Sequence, residues 1–188
     1  MILGLTGSIG MGKSTTAAMF AEQGIPVWDA DDVVRRLYAP GGPALDLLEA
    51  AFPGCVGENG VDRDVLRALV AKDPGVLDQL NALIHPLVAG DRAEFLRNKS
   101  GLVVLDVPLL FETGADAICD RIAVVSVDAE TQRTRVLARG TMSEADFDAI
   151  LSRQLPDAEK RARADYVIDT STMETARDMV ATIIEELT

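Results

Sequence analysis

Short apolar runs alternate along the chain with longer stretches of helical period. Ile2 to Leu5 predicts a strand that meets a Gly-rich turn, and a helical pattern runs from Lys13 to about Gln23, where Gly24 stops it. Ile25-Pro26-Val27-Trp28 predicts a second short strand ending at Asp29. Val33 to Leu37 reads as helix until Pro40-Gly41-Gly42-Pro43 breaks it. From Ala44 to Lys99 the pattern is mostly helical, with loop signals at Pro53-Gly54 and Glu58-Asn59-Gly60. Asp62 is a plausible N-cap, and Asp73-Pro74 opens another helix. Leu102 to Asp106, Ile122 to Val127 and Tyr166 to Ile168 read as buried strands. The helical segments among them lie near Glu130 to Arg139, Ser143 to Gln154 and Thr172 to Leu187. Strands alternating with helices predict an α/β fold with a parallel sheet, whose ligands sit beyond the carboxyl ends of the strands.

Composition narrows the function classes. The 188 residues carry 18 basic and 30 acidic side chains, a formal charge of −12, which argues against broad nucleic-acid binding or docking on an anionic membrane. A hydrophobic fraction of 48% supports a real core in one ordinary domain, and no repeat or low-complexity tract divides it. Cys55 and Cys119 make neither a disulfide framework nor a metal spacing. The first basic residue is Lys13, so the start lacks the charged region of an export signal. The longest apolar stretch, Leu102 to Phe111, contains Asp106 and is too short to span a bilayer. A cytoplasmic protein with no obligate protein partner is the expectation.

The strongest motif is Gly7-Ser8-Ile9-Gly10-Met11-Gly12-Lys13-Ser14, which satisfies G-x4-G-K-[ST] between a strand and a helix. Glycines permit the tight wrap that turns successive N–H groups toward phosphate oxygens, and the helix N-terminus adds favourable partial charge. Lys13 can bridge the β- and γ-phosphates and the Ser14 hydroxyl can ligate Mg2+. A chance Gly-rich turn is the bland alternative, and the strand-before, helix-after context counts against it. The loop predicts a nucleoside triphosphate site but leaves the acceptor open. No Asn-Lys-x-Asp segment for reading guanine is present.

Two other clusters fit that site. Asp29-Ala30-Asp31-Asp32 follows the second strand, where an extended segment would place Asp29 and Asp31 on one face. A carboxylate there could take a hydroxyl proton or hold water on Mg2+; a helix N-cap cluster is the competing reading, and both stay open. Between Ala129 and Arg163 seven basic residues face six acidic ones, so this segment alone escapes the acidity of the chain. On a helix Arg135 and Arg139 share a face, and arginine offers a planar fork for phosphate oxygens. A closing lid is one reading and a solvated helix the other.

In these segments the chain resembles the dephospho-CoA kinases. The resemblance covers nearly the whole length: Leu5 to Gly10 with Gly12 to Thr15, Asp29-Ala30-Asp31, Val61-Asp62-Arg63, Ile84-His85-Pro86-Leu87, Asp106 to Glu112, Thr131-Gln132 with Arg135 and Arg139, and Gln154 before Ala164 to Asp169. It implies ATP-dependent phosphorylation of the ribose 3′-hydroxyl of dephospho-CoA, with Mg2+, by direct in-line transfer. It also implies a three-layer P-loop kinase fold on a five-stranded parallel sheet. In this reading residues 1–37, 100–134 and 164–188 form the nucleotide-binding core, 38–99 a helical CoA-binding insertion and 135–163 a lid. Gly7 through Thr15, with Arg135 and Arg139, would bind ATP. Asp31 would be the base with Asp29 beside it, and Lys13 and Arg139 would serve the transfer. Ser14 would hold the metal directly and Asp106 through water. Arg63, His85 and the segment Pro108-Leu109-Leu110-Phe111-Glu112 would meet the acceptor. Bland readings stand beside these: His85 filling a helix junction at Pro86, Arg63 pairing with Asp62 or Asp64, and Leu109 to Phe111 as core. Ser8, Gly140 and Thr170 depart from the family pattern, and Thr170 lies in a loop that would border the adenine. The competing functions are another small-molecule P-loop kinase and a nucleotide-dependent switch.

Overall fold

The first apolar run becomes β1 (Ile2–Thr6), the central strand of a five-stranded parallel sheet. The computed structural model describes all residues 1–188. The other strands of this sheet are β2 (Val27–Asp29), β5 (Val103–Asp106), β6 (Arg121–Ser126) and β7 (Tyr166–Asp169), in the order β2-β5-β1-β6-β7. Between β2 and β5 the chain makes a small antiparallel hairpin, β3 (Val56–Gly57) with β4 (Gly60–Val61). The strands after β1 go first to one side of it and then to the other. That reversal opens a crevice at the carboxyl edge beside β1, which is where ligands of such sheets bind.

Helix α1 (Lys13–Glu22) follows β1, and α9 (Met173–Leu187) closes the chain; the two pack on each other over the sheet. Phe20, Leu3, Leu5, Val104, Val125 and Ile168 are fully buried there, joined by Val180 and Ile183. Each such side chain contributes about 1.5–3 kcal/mol of burial. Parallel register aligns Asp29 of β2 with Asp106 of β5, and Leu5 of β1 with the same Asp106. Two carboxylates therefore sit at the strand ends from which the Gly-rich loop departs.

Residues 30–98 form a compact unit of their own, distinct from 1–29 with 99–188. It contains α2 (Ala30–Tyr38), α3 (Leu45–Ala51), α4 (Arg63–Lys72) and α5 (Gly75–Arg97), with α5 as the spine on which the other three pack. Two expectations change here. Pro86 lies inside α5, not at a junction. A proline removes one N–H bond from a helix, and this helix is long and anchored by buried Leu80 and Ile84 on the preceding turns. Helix α2 begins at Ala30, so Asp29 ends a strand while Asp31 lies in a first helical turn. The alternation of an extended segment therefore does not put those two carboxylates on one face.

The remaining helices are α6 (Ala129–Ala138), α7 (Glu144–Leu151) and α8 (Asp157–Ala162). The weak start signal at Ser143 is a full capping box with Asp146. The six residues of α8 were not foreseen, because so short a helix shows no clear period.

Asp62 is an N-cap as expected: its Oδ1 accepts from the N–H groups of Asp64 at 2.9 Å and Val65 at 3.2 Å. Asp62→Ala is expected to destabilise the fold by about 1 kcal/mol in urea unfolding. A loss below about 0.3 kcal/mol would show that water replaces the cap.

Candidate active site

The loop between β1 and α1 is built on glycines that nothing else could replace. Gly10 and Gly12 have φ of 82° and 91°, in the left-handed region. A Cβ on Gly7 would strike the side chain of Val125, and one on Gly10 would strike Val136 of α6. The chain is thus pressed against β6 and α6 while its N–H groups turn outward. The Met11 N–H bonds back to the Ser8 carbonyl at 3.2 Å and the Ile9 N–H to Gln154 Oε1 at 3.1 Å. The N–H groups of Gly10, Gly12, Lys13, Ser14 and Thr15 take no acceptor within the protein. Those are the donors that a chain of phosphates accepts, at a helix N-terminus of favourable sign.

Lys13 reaches across the loop. Its Nζ lies 2.5 Å from Oδ1 of Asp106, whose side chain is 1% exposed. The ammonium balances a carboxylate that burial alone would make costly. The Ser14 hydroxyl, at the exposed start of α1, stands free of side-chain partners. No set of three or more His, Cys, Asp or Glu side chains gathers to hold a metal by itself. The donor set suits Mg2+, which takes few protein ligands and completes its shell with phosphate oxygens and water.

The arginines of the segment after β6 have three different roles. Arg133 pairs with Glu144 and with Asp148 at 3.1 Å, and its guanidinium lies over the Phe147 ring, so it joins α6 to α7. Arg135 Nη2 donates to the carbonyls of Thr170 at 2.8 Å and Ser171 at 3.3 Å, which ties α6 to that loop. The Thr170 hydroxyl in turn donates to the Met11 carbonyl at 2.7 Å. The departure from the family pattern at Thr170 thus ties the loop after β7 to the phosphate loop. Arg139 is exposed and without an ion pair, at the C-cap of α6 beside Gly140, whose φ is 64°.

Of the segment expected near the acceptor, Leu109 and Glu112 are exposed, Leu109 at 40%, and Pro108 is half-buried. The side chains of Leu110 and Phe111 are buried, with Arg163 stacked 4.1 Å from the Phe111 ring centroid. Apolar side chains straight after a buried strand are claimed by the core. Glu112 is engaged as well. It pairs at 2.9 Å with Lys160, a fully buried ammonium on α8, and accepts from the Leu155 N–H at 2.8 Å. Burial would raise the Glu112 carboxyl, but the bonds from Lys160 and Leu155 outweigh it and hold it below the ordinary value. Lys160 also donates to the Pro108 carbonyl at 3.5 Å, which accepts the Thr6 hydroxyl at 3.0 Å. In the unit of residues 30–98, Asp31 and His85 are exposed, and Arg63 at the first position of α4 lies over the Tyr38 ring at 5.4 Å.

Sequence reasoning missed Lys160 and gave no role to Gln132 or to Gln154, because a buried polar side chain looks like a surface one in a string of letters.

A family model described as dephospho-CoA kinase matches residues 1–175. The chain is similar to a dephospho-CoA kinase of Jannaschia sp., 56% identical over 99% of this chain and 96% of that one. It is also 53% identical to a dephospho-CoA kinase of Cereibacter sphaeroides, over 98% of this chain and 94% of that one. Among solved structures it is similar to TT1252 of Thermus thermophilus, with a TM-score of 0.88 and 34% identity over 100% of this chain and 98% of that one.

Glu112→Gln leaves the Lys160 ammonium buried without its counter-charge, and is expected to cost about 3 kcal/mol at pH 7. Because the folded-state pKa of Glu112 is depressed, its contribution is complete above the ordinary value of 4.5 and is lost as pH falls through the lower one. Urea unfolding of wild type and variant should therefore converge as pH falls through the depressed titration of Glu112; a gap that persists once that carboxyl is protonated assigns the loss to packing.

Proposed function

We propose that this chain, which belongs to the dephospho-CoA kinase family, transfers the γ-phosphoryl group of ATP directly and in line to the ribose 3′-hydroxyl of dephospho-CoA. The overall conversion is the phosphorylation of dephospho-CoA at the expense of ATP to give coenzyme A. The observation that carries the mechanism is the set of unpartnered N–H groups of Gly10, Gly12, Lys13, Ser14 and Thr15, with the Lys13 side chain beside them. Such an arrangement binds and orients phosphate oxygens and stabilises charge that moves onto them in the transition state.

In this mechanism Asp31 accepts the proton of the attacking hydroxyl, with Asp29 two residues before it in the chain. Lys13 and Arg139 hold the transferring group from the loop and from the end of α6. Ser14 would hold Mg2+ directly and Asp106 would reach it through water, and the ion would supply charge neutralisation on the phosphates. Arg63, His85, Pro108 and Leu109 are assigned to the acceptor, with residues 38–99 as the insertion that binds it. Residues 135–163 form the lid, with Gly140 beside its hinge; water kept out by a lid cannot compete as acceptor. A cytoplasmic location agrees with two free cysteines, and no helix is long and apolar enough to cross a membrane.

Asp31→Asn should retain ATP binding while kcat falls by roughly 10²–10⁴ in a coupled ADP-release assay with dephospho-CoA. Turnover within about threefold of wild type would remove Asp31 from the role of base. Dephospho-CoA lacking the ribose 3′-hydroxyl should give no acceptor-dependent ADP; release from that analogue would move the transfer to another hydroxyl. Arg139→Met should lower kcat by about 10²-fold with dephospho-CoA binding unchanged, measured in the same assay and by titration calorimetry.

A further inference from the structure

One residue of the phosphate loop is gripped at both of its peptide groups by side chains far away in sequence. The Ile9 N–H donates to Gln154 Oε1 at 3.1 Å, and the Ile9 carbonyl accepts from Gln132 Nε2 at 2.7 Å. Gln132 projects from α6 and is 5% exposed; Gln154 follows the end of α7. The polarity of each bond is dictated by its partner, since an amide N–H needs the carboxamide oxygen and a carbonyl needs the carboxamide nitrogen. The next loop residue, Gly10, lies so close to α6 that a Cβ would come within 3.1 Å of the Gln132 carbonyl and strike Val136. The residue after that, Met11, is held by the Thr170 hydroxyl.

The grip matters because of where the free donors begin. Ile9 is the last residue before Gly10, the first of the unpartnered donors Gly10, Gly12, Lys13, Ser14 and Thr15, and rotation of its peptide planes would reorient the donors that follow. Neither glutamine carries charge, and no step of phosphoryl transfer calls on a carboxamide. Backbone groups at a partly exposed loop could equally be met by water. Two side chains from opposite flanks satisfying one residue is an arrangement that fixes orientation.

We propose that Gln132 and Gln154 are positioning residues for ATP: together they lock the Ile9 peptide so that the following amides converge on the phosphates. The inference rests on the reading of residues 7–15 as the ATP phosphate site. It distinguishes the two glutamines by polarity, because a carboxylate can still accept from the Ile9 N–H but cannot donate to the Ile9 carbonyl.

The test uses the full chain in the variants Gln132→Met, Gln154→Met, Gln132→Glu, Gln154→Glu and Lys13→Met. ATP affinity is read by titration calorimetry, KM is measured for both substrates, and exchange of the Ile9 amide is followed by NMR. Each Met variant should weaken ATP binding about fivefold or more, the worth of one neutral hydrogen bond, with KM for dephospho-CoA within about twofold of wild type. Gln154→Glu should keep the Ile9 amide protected, whereas Gln154→Met should lose that protection. The two Glu variants add the same charge, so Gln132→Glu should bind ATP at least about fivefold more weakly than Gln154→Glu. Where Gln132→Glu does not fold, Gln132→Met carries that arm. ATP affinities of the Met variants within about twofold of wild type, or Glu variants that cannot be told apart, overturn the proposal. Lys13→Met separates the two levels. If it binds ATP like wild type, the phosphate-site reading itself fails; if it alone loses ATP, only the role of the glutamines fails.

Discussion

A phosphate-binding loop must present backbone N–H groups to its ligand, and so it cannot use them to hold itself together. Everything around residues 7–15 answers that constraint. The loop is short of side chains because glycine is required at the left-handed positions Gly10 and Gly12 and at the close approach of Gly7 to β6. Its shape is imposed from outside: by Val136 and Gln132 on α6, by Gln154 after α7, by Thr170 after β7 and by the pair of Lys13 with Asp106. Carbonyls of the loop are bonded by neighbours, and its outward N–H groups are left for phosphate. Preorganisation of this kind lets dipoles stabilise transferring charge without moving to do so.

Charge follows the same economy. A net −12 would repel two polyanionic substrates if it were spread evenly. It is not: the segment from 129 to 163 is the least acidic part, and within it the arginines are divided by geometry. Arg133 is consumed by Glu144 and Asp148, Arg135 by backbone carbonyls, and Arg139 is left exposed by the end of its helix. A sequence count treats these three side chains alike, while their partners in the fold differ.

The pair of buried Lys160 with Glu112 ties several segments together at the end of the sheet. Lys160 spans from α8 to Glu112 and to the Pro108 carbonyl, which the Thr6 hydroxyl also reaches from the end of β1. The end of β1, the turn after β5 and the root of α8 are thereby one polar cluster. An ammonium with no solvent exposure is tolerated only because those acceptors surround it. The turn that leaves Leu109 exposed is held from behind by that cluster.

What the linear chain determined by itself is local. The run Ile2 to Leu5 followed by glycines and Lys13 specifies strand, loop and helix in that order, because period, glycine freedom and capping act over a few residues. Asp62, Ser143 and the five sheet strands were legible on the same grounds, and the ordered motifs identified the family. The tertiary structure decided what contact between distant segments decides. Pro86 lies within α5 because packing of Leu80 and Ile84 outweighs one lost hydrogen bond; Ala30 starts a helix that ends the expected alternation of Asp29 and Asp31. Leu110, Phe111 and Glu112 went to the core and to Lys160, Arg135 went to Thr170, and Gln132 and Gln154 met at Ile9. These last two lie more than a hundred residues from the peptide they hold, and no local pattern encodes a partner that only folding brings near.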